Sequence, residues 1–409
     1  MAEQLRIAVV GGSVGGLTAA CLLRDAGHDV TVFERSSTEL EQRGAGIGFL
    51  ETTYRYLVER ADLRLDEMSV ATDHIRYLNR DDTVAHHAEH HYLFSSWNTV
   101  YRRLLSHWIG TDDGPGRDRY RLDHEMIGFD QTDADVTVRF ANGSSVTVDL
   151  LVCADGVGST ARTILQPEAK AGYAGYVAWR GMVPERELPA AMAKRLGDAI
   201  TYYVLANSHI LIYPVPGLDG PVADSDRLIN FVWYRNYLDG PELDELMTDR
   251  HGVRRELSLP PGAAADHHVA ELRALAAARL PTLAAEVVAR TEEPFLQVVY
   301  DIEVEQMAFG RVALLGDAAF AARPHAAAGS AKAADDGWAL ARALAEVAEL
   351  AEPGTESVVE ALRRWELGQL ALGRDLLQRT RDVGSRSQVT NTWQPGDPDL
   401  IFGLYEPGR

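Results

Sequence analysis

Cysteine is scarce: only Cys21 and Cys153 occur among 409 residues, each inside an apolar segment. Two such residues build no disulfide framework, so buried free thiols in a reducing cytoplasm are expected. Positive charge is also short. The 40 lysines and arginines face 60 aspartates and glutamates, a formal charge of -20. That balance argues against a general nucleic-acid or anionic-membrane binder, although a local basic pocket remains open. Long uninterrupted apolar runs are missing too. Leu5–Leu23 comes nearest to a signal-peptide core, but Gly11, Gly12, Ser13, Gly15 and Gly16 interrupt it and no cationic n-region precedes it. It reads as part of the fold. There is no internal repeat and no His-Glu-x-x-His order. The run His86, His87, Glu89, His90, His91 offers adjacent pairs that rarely all point at one ion, so a solvated, pH-sensitive loop or strand edge is expected there and no metal.

The remaining composition, 46% hydrophobic and 24% charged, is that of an ordinary globular chain long enough for two domains. Its first segment has the clearest organisation. Ile7–Val10 reads as a buried parallel strand, Leu17–Arg24 as a helix, and Val30–Phe33 as a second strand ending at Glu34. Between them lies a glycine fingerprint aligned on Gly11, Ser13 and Gly16, with an acid roughly 20 residues on, where it takes the ribose hydroxyls of a dinucleotide. Ser13 departs from the middle glycine, but it still permits close approach, and Gly12 and Gly15 keep the loop permissive. Gly11, Ser13, Val14, Gly15, Gly16, Glu34 and Arg35 are therefore the first candidate cofactor residues. A glycine-rich turn without a ligand is the poorer reading of this arrangement.

A second glycine loop, Gly44 to Gly48, wraps adenosine, approaches a ring system through Gly46, or is merely a turn. Thr52–Glu59 follows as a helix. Val100–Leu105 opens another, whose Arg102 or Arg103 pairs with a diphosphate or with surface acids. Val136–Phe140 and Ser145–Val148 flank Ala141-Asn142-Gly143-Ser144, a hairpin signal. Leu150–Ala154 is a buried strand that ends at Asp155, and the following Ser159 and Arg162 are suited to fixing that loop.

From Tyr173 to about Arg290 the character changes. Tyr173, Tyr176, Trp179, Tyr202, Tyr203, Tyr213, Trp233, Tyr234 and Tyr237 fall in alternating segments broken by loops such as Pro214–Asp226, which is the pattern of an antiparallel sheet with one packed face. Most of these rings are expected in its core, and a few are expected to line a pocket where domains meet. Helices are expected over 263–280 and 283–290, a strand over Phe295–Glu305, and a long helix from Glu356 to about Arg386. Before that last helix, Val312–Leu315 is strand-like, Gly316-Asp317 breaks it, Arg323-Pro324-His325 forms an elbow, and a helix starts near Gly329. A helix start presents unpaired N–H groups and the positive end of its dipole. An ordinary strand-turn-helix connection explains this stretch about as well when it is taken alone.

Together, Gly11–Glu34, Asp155–Arg162 and Leu315–Asp336 resemble, over nearly the whole chain, the single-component flavoprotein aromatic monooxygenases, the para-hydroxybenzoate hydroxylase-like group. Tyr173-Ala174-Gly175-Tyr176 with Trp179-Arg180-Gly181, Tyr213-Pro214-Val215-Pro216-Gly217, and Arg323 to Gly329 look like its 2,6-dihydroxypyridine 3-hydroxylase branch. Phe320, where a histidine commonly follows Gly-Asp-Ala-Ala, and the long Pro324 to Gly329 spacing fit that branch. The resemblance implies an α/β fold with a Rossmann-like FAD-binding domain (1–73, 98–172, 291–345), an inserted antiparallel β-sheet substrate domain (74–97, 173–290) and a C-terminal helical segment (346–409). It implies FAD with its pyrophosphate over Gly11–Gly16 helped by Arg102, its ribose on Glu34 at a partly exposed end, its ribityl chain near Asp317, and its ring edge toward Pro324, Gly329 and Ser330. Asp155, Gly46 and Gly316 complete the expected cofactor set.

The same resemblance implies NADH or NADPH as a transient reductant, since no second nicotinamide fingerprint is present. O2 would then form a flavin C4a-hydroperoxide that hydroxylates a small electron-rich ring. A halogenase tryptophan-x-tryptophan-x-isoleucine-proline motif is absent. Tyr213 and His325 are the expected catalytic residues. His325 reads either as a substrate-side base titrating in a useful range, or as a group that caps the Ala326–Ala328 turn or packs on the flavin. A homodimer is suggested only by the relatives. Two other classes stay open: a flavoprotein whose FAD is structural or sensory, and an NAD-dependent dehydrogenase, which leaves Asp317 without a role.

Overall fold

Short β-branched runs bounded by glycine and acid build the first layer. The computed structural model describes residues 4–40, 45–110, 115–217, 227–350 and 355–409; Gly44 and parts of the loops expected over 110–119 and 214–226 lie outside them. A six-stranded sheet runs in the order Ala308–Phe309, Val312–Leu314, Leu150–Cys153, Arg6–Val10, Asp29–Phe33, Tyr120–Arg121, parallel except for its first pair. Every residue of Leu150–Cys153 is buried, as expected for a parallel strand covered on both faces. The register aligns the strand ends, Val10 opposite both Phe33 and Cys153, and Cys153 opposite Leu314. Gly11, Glu34, Asp155 and Asp317 therefore emerge along one edge, where open α/β sheets bind ligands.

Close helix packing fixes that edge. The helix Val14–Asp25 starts earlier than its apolar pattern suggests and packs against the helix Gly329–Leu350. A Cβ on Gly337 would come within 3.0 Å of Ala19 Cα, and one on Gly15 within 2.7 Å of the Ala333 Cβ. Cys21 and Cys153 are buried and free.

The aromatic segments form a nine-stranded sheet in the order Ser258–Leu259, Phe295–Asp301, Gly172–Pro184, Leu228–Asn236, Ser208–Val215, Ala199–Leu205, Val70–Leu78, Val84–Ser96, Gly46–Gly48. Its pairings are antiparallel apart from Ala199–Leu205 with Val70–Leu78. One face of its centre buries Val177, Trp179, Phe231 and Trp233 against the helices Asp266–Arg279 and Thr282–Arg290, and the other buries Tyr176, Tyr202, Tyr213 and Tyr234. The sheet curls so far that Gly46, in its last strand, donates from its N–H to Asn230 Oδ1 in a central strand at 3.0 Å. The hairpin over 136–148 forms as expected, within a separate three-stranded sheet.

The long helix runs Thr355–Gln388. Beyond Gln388 the expected helical segment gives way to a tail that is helical only over Pro398–Leu400, because its apolar side chains belong to the second sheet. Trp393 and Phe402 are buried there. Trp393 donates to the Tyr77 hydroxyl (3.3 Å), and the Phe402 N–H donates to that of Tyr92 (3.1 Å). Among the described residues no helix is long and apolar enough to cross a membrane. The histidines 86, 87, 90 and 91 lie on the strand Val84–Ser96. The described residues that bring three ligand-type groups together are instead Glu245, His267 and His268.

Candidate cofactor and substrate site

Two cavities follow the carboxyl edge of the first sheet, one of about 680 Å³ beside Gly11 and Glu34 and one of about 380 Å³ between Gly316 and the second sheet. Ser13, Trp97, Ala154, Gly156 and Gln297 border both. The two together suit a long ligand with unlike halves, and the residues present suit a dinucleotide. Gly11 (φ 108°) is required by close approach, because a Cβ there would lie 2.1 Å from the Ala154 carbonyl oxygen. Gly11, Ser13, Glu34, Arg35 and Asp155 line the larger cavity, and Ser13, Val14, Gly15 and Gly16 the smaller.

Glu34 is 5% exposed rather than at a partly open end. Its Oε2 accepts from the Gly12 N–H and its Oε1 from the Ser36 N–H, both at 2.9 Å. One carboxylate thus shapes the glycine loop and, with further lone pairs, faces the cavity. The Asp155 Oδ2 accepts from the Ala161 N–H (3.2 Å) while its buried Oδ1 has no partner among the described residues, and burial raises its carboxyl above the usual range. Ser159 caps the following helix by accepting from the Arg162 N–H (2.9 Å), and the Arg162 guanidinium donates to the carbonyls of Ala169 and Ala318 at 3.0 Å. That side chain joins the second motif to the third. Arg102, expected beside the pyrophosphate, is exposed on the helix Trp97–Ile109 and is not among the described residues lining either cavity.

Gly316, Asp317, Pro324, Gly329 and Ser330 line the smaller cavity together with Gly46. Asp317 keeps accessible surface and lines the smaller cavity, with protein packed round its carboxyl. Burial raises its carboxyl to about 6, with Asp336 adding to the rise and Lys332 and Arg162 opposing it. Lys332 and Asp336 are a buried pair (1% and 0% exposed, 2.5 Å), and the other Asp336 oxygen accepts from the Gly316 N–H at 2.9 Å. Sequence reasoning passed over this pair as helix composition; its spacing of four on a helix opening at the cavity was the available signal.

The opposite wall is the aromatic sheet, with Arg180, Leu211, Tyr213, Val232, Tyr234 and Gln297. The Tyr213 ring stacks on Phe94 (centroids 4.3 Å apart), and its hydroxyl donates to the Gly46 carbonyl at 2.8 Å. Its burial raises the phenol, Arg180 opposing. Tyr213, expected as a catalytic residue, thus lines the cavity with its hydroxyl engaged in holding the Gly46 strand. His325 is placed differently from its neighbours. Pro324, Ala327 and Ala328 line the cavity, but the tight turn, with Ala327 left-handed (φ 53°), sends His325 away into the sheet. It is 5% exposed, its Nε2 lies 2.7 Å from the Tyr176 hydroxyl, and it packs on Tyr234 and His209 with centroids 4.8 and 5.4 Å away. Burial lowers its pKa to about 3, with Arg323 adding to the effect. A histidine held neutral does not titrate in the working range, and this one packs into the aromatic sheet behind the cavity wall, so the geometry favours a structural role over the base but places its packing against Tyr176, His209 and Tyr234 rather than on the flavin.

Known proteins share this arrangement. Residues 9–38 match the NAD(P)-binding Rossmann-like domain family, 173–301 the FAD binding domain-like family, and 269–358 the FAD binding domain family. The 2,6-dihydroxypyridine 3-monooxygenase of Paenarthrobacter nicotinovorans is 37% identical over 98% of this chain and 96% of its own length. An FAD-dependent urate hydroxylase of Klebsiella pneumoniae is 27% identical over 95% of this chain and 93% of its own. Among solved structures, 2,6-dihydroxypyridine-3-hydroxylase from Arthrobacter nicotinovorans superposes with a TM-score of 0.89 at 34% identity, covering 100% of this chain and 99% of that one. Identity of that order along the full length, with a superposition that covers the whole chain, places the chain in the family of FAD-dependent aromatic monooxygenases.

Proposed function

We propose that this monooxygenase hydroxylates a single small ring, a hydroxylated N-heterocycle or a phenol, in the smaller cavity. The carrying observation is that this cavity of about 380 Å³ has the aromatic sheet on one side and the Gly46 strand and the Gly329 helix start on the other. Space shared between a flavin ring and the substrate leaves room for little more than one ring. Full-length likeness to proteins named for dihydroxypyridine and urate supports an electron-rich N-heterocycle.

In this reading Gly11, Ser13, Gly16, Glu34 and Arg35 hold the adenosine diphosphate half of FAD. Asp155, Gly316 and Asp317 hold the linking chain, and Gly46, Pro324, Gly329 and Ser330 border the ring. Bound FAD takes electrons from NADH or NADPH and activates O2 for transfer of one oxygen atom to the substrate. The Gly329–Ser330 helix start directs backbone N–H groups and a positive dipole end at that ring edge, stabilising negative charge there. Leu211, Val232 and Tyr234 cover the substrate and exclude water. We divide the chain as the sequence suggests, with 74–97 and 173–290 forming the substrate part, and assign the protein to the cytoplasm on the strength of its buried free thiols.

NAD(P)H oxidation by the FAD-loaded protein, measured with O2 uptake and product analysis, tests the proposal. Oxidation stimulated by 2,6-dihydroxypyridine, or by another hydroxylated N-heterocycle or phenol, with hydroxylated product formed supports it. Absence of substrate-stimulated turnover would favour a structural or sensory FAD.

A further inference from the structure

The wall of the smaller cavity holds a positive charge that no carboxylate balances. Arg180, half-buried on the strand Gly172–Pro184, donates from Nη1 to Gln297 Oε1 (2.6 Å) and from Nη2 to the Gly46 carbonyl (2.9 Å). Its Nε is buried with no hydrogen-bond partner among the described residues, and it forms no ion pair there. Nearby, Asn230 Oδ1 accepts from the Gly46 N–H while its Nδ2, also buried, makes no close hydrogen bond among the described residues. The Tyr213 hydroxyl gives its proton to the Gly46 carbonyl, and its oxygen is within reach of the Arg180 and Asn230 side chains as an acceptor. Around this glycine, donors outnumber acceptors and one full charge is left over. Arg180 Nε and Asn230 Nδ2 are closed off from the cavity, so it is the half-buried guanidinium itself, lining the cavity and bonded only to neutral acceptors, that offers charge to an acceptor arriving with the ligand.

We propose that Arg180 is the positioning residue that selects the substrate in its deprotonated form, taking the anionic ring oxygen of an aryl oxide or of a hydroxylated N-heterocycle. This inference rests on the ring-hydroxylase reading and deepens it. An oxygen anion answers the surplus donors with charge-assisted hydrogen bonds, which a neutral ring hydroxyl matches less well. The ionised oxygen also donates electron density into its ring, which favours attack on an electrophilic oxygen. The remaining titratable groups of this cavity are Tyr213 and Tyr234 from the sheet and Asp317 across from it. The last of these makes a non-ionisable control necessary.

The test is equilibrium binding to the FAD-loaded protein, followed by flavin difference spectra across pH, with 2,6-dihydroxypyridine and its non-ionisable analogue 2,6-dimethoxypyridine as probes. The parent should bind the dihydroxy probe more tightly as pH rises through the probe's own ionisation, and the dimethoxy probe should show no such rise. Arg180→Gln should bind the dihydroxy probe about tenfold or more weaker, with that rise abolished. Arg180→Lys should restore part of both, while the dimethoxy affinity stays near the parent's in each variant. An unchanged dihydroxy affinity and pH profile in both variants overturns the proposal alone. So does an equal loss for both probes accompanied by reduced FAD retention, the signature of a strut for the Gly46 strand. Failure of the parent to bind either probe overturns the proposal together with the reading beneath it.

Discussion

Replacing Lys332 with methionine removes the cation from the buried pair beneath the cofactor turn. Lys332 is 1% exposed, its Nζ is 2.5 Å from Asp336, and Asp336 also accepts from the Gly316 N–H. Methionine nearly matches the lysine stem, and the site already borders Phe320, so lost packing is small. The dominant effect is a buried carboxylate without its counter-charge, for which a loss of about 3–5 kcal/mol is expected. Burial already raises the Asp336 carboxyl with Lys332 opposing, and the variant raises it further. A carboxyl raised in the folded state stabilises below its unfolded value, about 3.9, and that contribution is lost as pH rises through the folded value. The deficit of Lys332→Met should therefore shrink as pH is lowered and widen as it is raised. Urea denaturation from pH 5 to 9, with FAD content read from absorbance, measures it, and a loosened Gly316 turn should lower FAD retention in parallel. Adding Asp336→Asn should recover much of the stability by removing the stranded charge. A Lys332→Met protein within about 1 kcal/mol of the parent at high pH with full FAD would refute the argument, since that loss is typical of an ordinary substitution.

Asp317→Ala should purify mostly without FAD. In the parent, FAD affinity measured by fluorescence quenching should fall as pH drops below about 6, where the raised carboxyl becomes protonated and loses its charge-assisted acceptance. Glu34→Ala should weaken FAD binding by tenfold or more, because it strands the Gly12 and Ser36 N–H groups at roughly 1–3 kcal/mol each; an affinity equal to the parent's would show that the loop needs no such anchor. His325→Ala should cost about 2 kcal/mol of stability through lost packing and its Tyr176 contact. Because the parent imidazole is held neutral down to about 3, its stabilising contribution is present above the unfolded histidine value of about 6.5 and lost as pH falls. The variant should thus show a shallower decline on the acid side in thermal melts. Its product yield per NAD(P)H should keep the parent's pH profile, and a pH-dependent rise in peroxide release would restore the base assignment.

The sequence by itself determined what depends on local order. Apolar runs ending in Gly11, Glu34, Asp155 and Asp317 announced parallel strands with polar ends, since a strand buried on both faces has few alternatives to continuous apolar residues. The aromatic alternation announced the second sheet, and the helix start at Gly329 was readable from composition. What only the tertiary structure decided is which side chains share a cavity. Alternation around one tight turn put Pro324 in the wall and His325 behind it. The curl of the nine-stranded sheet carried Asn230, Tyr213 and Arg180 onto the Gly46 peptide from strands far apart in the chain. Such meetings are set by sheet curvature and long-range packing, and no spacing within a segment encodes them. For the same reason the buried charges Lys332 and Asp336 and the half-buried Arg180 were indistinguishable in sequence from solvated ones until their surroundings were assembled.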